Sequence, residues 1–212
     1  MLNDELRRTG LIAILRGVRP DEVAEIGTAL FAAGFRIIEV PLNSPDAMDS
    51  IRILRGRLSS ECLVGAGTVV SATQVDDIRR AGGELIVMPH ADPAIIRAAK
   101  IARLSVMPGV ATPTEAFAAL AAGADALKMF PAELLGAAVL KAWRAVLPSD
   151  TQLVPVGGLT PEKLAGFVSA GASGAGLGAA LYAPGVSAAE VGTRAAVFID
   201  SWRAACAWCD KP

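Results

Sequence analysis

The residues best placed to do chemistry in this chain are a lysine and a glutamate set among apolar neighbours. Lys128 stands in Ala124-Asp125-Ala126-Leu127-Lys128-Met129-Phe130-Pro131. Burial disfavours an ammonium and lowers the pKa of the amine, and a neutral lysine attacks carbonyl carbon. The competing reading is a strand-end lysine whose ammonium reaches water along its stem. Glu39 follows Ile37-Ile38 and precedes Val40-Pro41. A carboxylate in such company is expected to be paired. It is either an ion-pair partner of Arg16 or Lys128, or a proton shuttle whose pKa burial raises toward neutrality. Arg16 has the planar fork that grips both oxygens of a carboxylate, unless it serves Glu39. Thr68 can give a hydroxyl hydrogen bond to the same ligand, or it only shapes a turn. Gly157, Gly158 and Gly178 would let backbone N–H groups close on a phosphate, or they only make tight turns.

These side chains need elements that hold them together. Short apolar runs recur at 11–15, 36–40, 63–66, 84–88, 104–107, 124–129, 152–156 and 173–177. Each has the length of a buried parallel strand and is followed by a segment of helical period. In 21–33, Val23, Ile26, Leu30 and Phe31 fall on one helical face. Pro45, Pro113 and Pro161 follow Ser44, Thr112 and Thr160, the order of an N-cap and a first-turn proline. Thr112 with Glu115, and Ser71 with Gln74, have capping-box spacing. Gly34, Gly82 and Gly123 end helices before the next strand. Eight strand–helix units predict a (β/α)₈ TIM barrel, one domain over residues 1–212, with the last ~15 residues a helical tail. An open doubly wound sheet is the alternative, but no Gly-x-Gly-x-x-Gly follows the first strand. In a barrel, function gathers at the C-terminal ends of the strands. That rule selects Arg16, Glu39, Thr68, Lys128, Val156 and the two glycine loops.

Composition removes other classes. Hydrophobic residues make up 53% and charged residues 19%, which describes a folded chain with a large core. A net charge of −1 gives no electrostatic footprint for nucleic acid or an anionic membrane. The uncharged stretch 167–189 is long enough to span a bilayer, but five glycines, Pro184 and three serines mark it as strand and loop. The N-terminus lacks the basic-then-apolar order of a signal peptide, and a cytoplasmic protein is expected. His90 is the only histidine, which excludes a two-histidine zinc site. Cys206-Ala-Trp-Cys209 lies at the end of a helix, where a redox pair is not expected.

At these residues the chain resembles the class I aldolases that split 2-keto-3-deoxy-6-phospho sugar acids. The resemblance runs from residue 11 to about 182. It rests on Ile12-Ala13-Ile14-Leu15-Arg16-Gly17, Glu39-Val40-Pro41-Leu42-Asn43-Ser44, Gly65-Ala66-Gly67-Thr68-Val69, Leu127-Lys128-Met129-Phe130-Pro131 and Val156-Gly157-Gly158-Leu159-Thr160-Pro161. It implies Lys128 as the Schiff-base lysine and Glu39 as the general acid/base. Arg16 and Thr68 would bind the pyruvyl end, and Gly157, Gly158, Gly178 and the Ala179 backbone the phosphate. It further implies a homotrimer and a covalent imine in place of any metal or other cofactor. The partner is a phosphorylated 2-oxo sugar acid. Members acting on the gluconate epimer carry threonine where this chain has substrate-facing Val156, and arginine where it has Asn43, so both positions resemble the galactonate branch. Phe130-Pro131-Ala132-Glu133 reads more like the gluconate branch, and Ala179 replaces a common serine. A phosphate-binding barrel isomerase or synthase, a metal-dependent aldolase and a non-catalytic sugar-phosphate binder are the rival classes.

Overall fold

The computed structural model describes residues 2–209. Short Val/Ile/Leu-rich runs form strands because their side chains are buried on both faces of a parallel layer. The strands are β1 (Leu11–Ile14), β2 (Ile37–Pro41), β3 (Leu63–Gly67), β4 (Leu85–Val87), β5 (Ser105–Met107), β6 (Gly109–Val110), β7 (Leu127–Met129), β8 (Leu153–Pro155) and β9 (Ala175–Leu177). They alternate with α2 (Pro20–Ala33), α3 (Ala47–Arg57), α4 (Gln74–Arg80), α5 (Pro93–Ile101), α6 (Pro113–Ala121), α7 (Ala132–Arg144) and α8 (Pro161–Ser169), with α1 (Leu2–Thr9) before them and α9 (Ala188–Cys209) after. All pairings are parallel, in the orders β5-β4-β3-β2-β1-β9 and β6-β7-β8. A parallel bridge from Val156 to Gly176 joins the end of β8 to β9. The architecture is a TIM-barrel-like α/β fold.

Side-chain alternation separates two cores. Ile38, Val40, Leu127 and Met129 face the helices, while Ile12, Ile14, Ile37, Leu85, Val154 and Val156 pack together on the inner face. Leu2 and Leu6 of α1 join that inner cluster and cap it from the N-terminal side of the strands. Burial of each such leucine stabilises the fold by about 1.5–3 kcal/mol. α9 lies along α2 and α8 and buries Val191, Ala195, Phe198 and Trp202.

Several expectations need correction. The fifth predicted run continues past Pro108 as a second strand, β6. Proline has no N–H to give the ladder, so β5 pairs only with β4 and β6 only with β7. Pro113 and Pro161 do open helices, but Pro45 does not: α3 starts at Ala47 behind Asp46, whose φ is 43°. α4 starts at Gln74 and not at Ser71. The glutamine half of that motif does form, since Gln74 Oε1 accepts from Val70 N and Ser71 N at 3.1 and 3.2 Å. Phe31 is only half-buried, its ring lying under the Arg36 guanidinium at 3.9 Å. Gly34, Gly82 and Gly123 all hold positive φ just beyond α2, α4 and α6. Among the described residues no helix is long and apolar enough to cross a membrane. Stretch 167–189 supplies the end of α8, β9, a loop and the first residues of α9. The Cys209 side chain lies outside the described residues.

Candidate active site

Strand parity delivers the two ionisable residues to the same place. Glu39 shares the inner face of β2 with Ile37, and Lys128 follows inward-facing Ala126 by two residues. The register sets Ile14 opposite Glu39. Glu39 is 1% exposed and Lys128 5%. Gly67, also on the inner face, makes room for the carboxylate: a Cβ at that position would overlap Glu39 Oε2. Gly67, at the end of β3, is therefore a steric requirement of Glu39, whereas Gly65 makes room for the Leu85 backbone.

Oε2 of Glu39 has no hydrogen-bond partner among the described residues. The expected pairing is thus replaced by the field of nearby charges. Burial raises the Glu39 carboxyl to about 7, against the pull of Lys128 and Arg16. Burial also lowers the Lys128 ammonium, with Glu39 opposing and Arg16 assisting. The Lys128 Nζ stands 4.8 Å from the Phe130 ring centroid, a contact that favours the cation and so acts against burial. The environment drives both groups toward their neutral forms. One is thereby made a nucleophile and the other a proton carrier able to work near neutrality.

Arg16, in the loop after β1, is exposed and aimed by two partners. Its Nη1 donates to Asn43 Oδ1 at 2.6 Å, and both Nη atoms lie 3.4 Å from Thr68 Oγ1. Thr68 holds φ 55°, a left-handed conformation that costs a threonine energy. That strain sits where the hydroxyl meets the arginine. Ser44 is buried and its Oγ accepts from Gly17 N at 2.9 Å, which ties the loop after β2 to the one carrying Arg16.

A cavity of about 540 Å³ opens over these residues. Arg16, Lys128, Val156, Gly157, Gly158, Gly178 and Ala179 all line it, together with Ile14, Phe130, Tyr182 and Pro184. Glu39 lies behind that wall and Thr68 beside Arg16. The cations lining the cavity are Arg16, in the loop after β1, and Lys128, on β7. Between them, on the loops after β8 and β9, the Gly157-Gly158 and Gly178-Ala179 segments and Thr160 also line it. Gly157 has φ 113°, and a Cβ there would stand 2.5 Å from Glu133 Oε2. Lys163 Nζ closes the same loop by donating to Gly158 O at 2.7 Å.

Sequence reasoning missed Asn43 as a partner of Arg16, along with Ser44, Phe130, Tyr182 and Glu133. The position of Asn43 within the Glu39-to-Ser44 motif was a usable signal, whereas the contacts of Tyr182 and Glu133 cross between distant segments. Among the described residues no group of three or more His, Cys, Asp or Glu could hold a metal ion.

A family profile described as KDPG and KHG aldolase matches residues 2–198. The 2-dehydro-3-deoxy-6-phosphogalactonate aldolase of Escherichia coli (strain K12) is 48% identical over 196 residues, covering 92% of this chain and 95% of the relative. The probable 2-dehydro-3-deoxy-6-phosphogalactonate aldolase of Rhizobium meliloti (strain 1021) is 48% identical over 185 residues and covers 87% of each chain. A solved structure described as native KDPGal superposes with a TM-score of 0.91 at 47% identity, covering 92% of this chain and 95% of the other.

Proposed function

The chain belongs to the KDPG and KHG aldolase family, and from that premise we propose that it cleaves 2-dehydro-3-deoxy-6-phosphogalactonate to pyruvate and D-glyceraldehyde 3-phosphate through an imine on Lys128. The observation that carries the mechanism is the burial of Lys128 and Glu39 on one inner face, where desolvation disfavours the charged form of each. Neutral Lys128 adds to the C2 ketone. Glu39 moves protons through the carbinolamine as water leaves, and the protonated imine becomes the electron sink. Glu39 then takes the C4 hydroxyl proton. The C3–C4 bond breaks, its electron pair flows into an enamine on Lys128, and C4 departs as the aldehyde carbon. Protonation at C3 and hydrolysis of the imine return the lysine and release pyruvate. The imine fills the electrophilic role a metal takes in other aldolases, so activity is expected to survive exhaustive chelation.

Arg16, steadied by Asn43 and Thr68, is read as the clamp on the substrate carboxylate. Gly157, Gly158, Gly178 and Ala179 are read as the phosphate cup, with backbone N–H groups as donors. Val156, packed against Gly176, gives an apolar wall where a threonine would offer a hydroxyl. This supports the galactonate epimer. The gluconate epimer is the second reading, suggested by Phe130-Pro131-Ala132-Glu133. Release of pyruvate from the two C4 epimers, compared as kcat/KM, decides between them. A gluconate preference would reverse the substrate assignment and leave the Lys128 chemistry standing.

We also read the strand layer as a closed (β/α)₈ barrel forming a single domain. Support comes from β5 and β6 being separated by Pro108 alone, and from the Val156–Gly176 bridge at the other seam. The working form is read as a homotrimer on the strength of the sequence resemblance, and the cytoplasm remains the location expected from the hydropathy of the sequence. Sedimentation equilibrium tests the trimer, and a monomeric mass would remove it.

A further inference from the structure

We infer that Glu22 and Tyr182 form a strut that fixes the spacing between the two anion-binding ends of the cavity, and so act as positioning residues for a phosphorylated substrate. This rests on the aldolase reading above and deepens it. Tyr182 lies in the loop after β9, is 2% exposed, and lines the cavity. Its backbone N donates to Gly178 O at 3.0 Å, so it moves with the glycine cup. Its hydroxyl donates to Glu22 Oε1 at 3.1 Å, across 160 residues of sequence. Glu22 is in the first turn of α2, and the same oxygen accepts from Arg19 N at 3.1 Å. Arg19 ends the loop that carries Arg16. One carboxylate oxygen therefore joins the loop bearing the carboxylate clamp to the loop bearing the phosphate cup.

A second contact reinforces the first. Pro184 lies against Gly17, close enough that a Cβ on Gly17 would stand 2.8 Å from Pro184 Cγ. The two loops thus touch beside Arg16 and again below Tyr182. A substrate spanning from C1 carboxylate to C6 phosphate engages both ends at once. Its binding rewards a preset distance, because small displacements of positioning groups carry large kinetic effects. Pyruvate occupies only one end and is indifferent to that distance.

The test uses Tyr182→Phe, Glu22→Ala, the double variant and Glu22→Gln, each assayed on the phosphorylated six-carbon substrate and for pyruvate-dependent borohydride trapping. Tyr182→Phe is expected to raise KM about five- to tenfold, the size of one hydrogen bond, with kcat within about twofold. Trapping by pyruvate stays at the wild-type rate. Glu22→Ala matches it, the double variant is no worse than either single variant, and Glu22→Gln, which keeps an acceptor oxygen, restores most of the loss. An unchanged KM in Tyr182→Phe, additive losses, or an equal loss of pyruvate trapping overturns the strut. Wild-type protein that releases no pyruvate overturns the aldolase reading itself and the strut with it, so the two failures are distinct.

Discussion

The two ends of the cavity are built from different materials. At the proposed pyruvyl end the groups assigned to the chemistry are side chains: Arg16, Glu39, Thr68 and Lys128. Two of them are buried, and burial disfavours the charged form of each. At the proposed phosphate end the assigned groups are backbone, and the glycines there matter for what they lack. Gly157 and Gly158 sit against Glu133 and hold positive φ, so a side chain there meets both strain and collision. The first end takes its properties from a low-dielectric interior, the second from chain geometry. Chemistry that needs a shifted pKa must be inside, whereas recognition of an anion by N–H groups can stay at the rim.

Substitutions should separate the ends sharply. Lys128→Met is expected to reduce turnover to background and abolish borohydride trapping with pyruvate. Retained trapping would mean that another lysine carries the imine, with Lys100, Lys141 and Lys163 as the controls. Gly67→Ala comes next. It adds a methyl where Glu39 Oε2 stands, and kcat should fall on the order of 10²–10⁴-fold, the scale of general acid–base catalysis. A Gly67→Ala enzyme with normal kcat would show that the carboxylate position is not essential. Glu39→Gln should lower kcat by at least 10²-fold while imine trapping persists. Because Glu39 must be ionised to act as base, kcat/KM of the wild type should rise with pH through about 7. A flat profile across that range would remove Glu39 as the base.

At the other end, Gly157→Ala should raise KM for the phosphorylated substrate about tenfold while sparing pyruvate trapping. Equal damage to both assays would mean the ends are not separable. The smallest effect is on stability. The Glu39 carboxyl is raised above its ordinary value, so the native state holds the proton more tightly than the unfolded chain. That contribution is fully present below about 4.5 and is lost as pH rises through about 7. Lys128, lowered by burial, works in the opposite sense and gains stability as pH rises. Urea midpoints should therefore show wild type losing ground to Glu39→Gln between pH 5 and pH 8, by on the order of 2–3 kcal/mol. A constant difference across that range would mean the carboxyl titrates normally.

Legibility followed the range of the interaction. Strand positions and the Lys128 and Glu39 pair were readable because short apolar runs and apolar context are local. The Thr112–Glu115 capping box was readable for the same reason, and both of its halves form. Pro45 misled because Ser-Pro looks alike before a helix and before a turn, and Asp46 takes the left-handed conformation that only the folded loop reveals. The split at Pro108 needed knowledge of which neighbour each half would pair with. The space at Gly67 belongs to Glu39, on the neighbouring strand. The hydroxyl of Tyr182 meets a carboxylate 160 residues away, where no periodicity connects them.

β1 pairs on one side with β2 and on the other with β9, setting Leu11 opposite Ala175. During synthesis, then, one flank of the first strand waits until nearly all the barrel strands have left the ribosome. Until β9 arrives, that flank is an unpaired edge of a hydrophobic strand, open to any other nascent strand nearby. At translation speeds of about 5–20 residues per second the delay is on the order of ten seconds. The expected hazard of this protein therefore belongs to its birth, and slow translation of its last third should cost more yield than any loss of native stability.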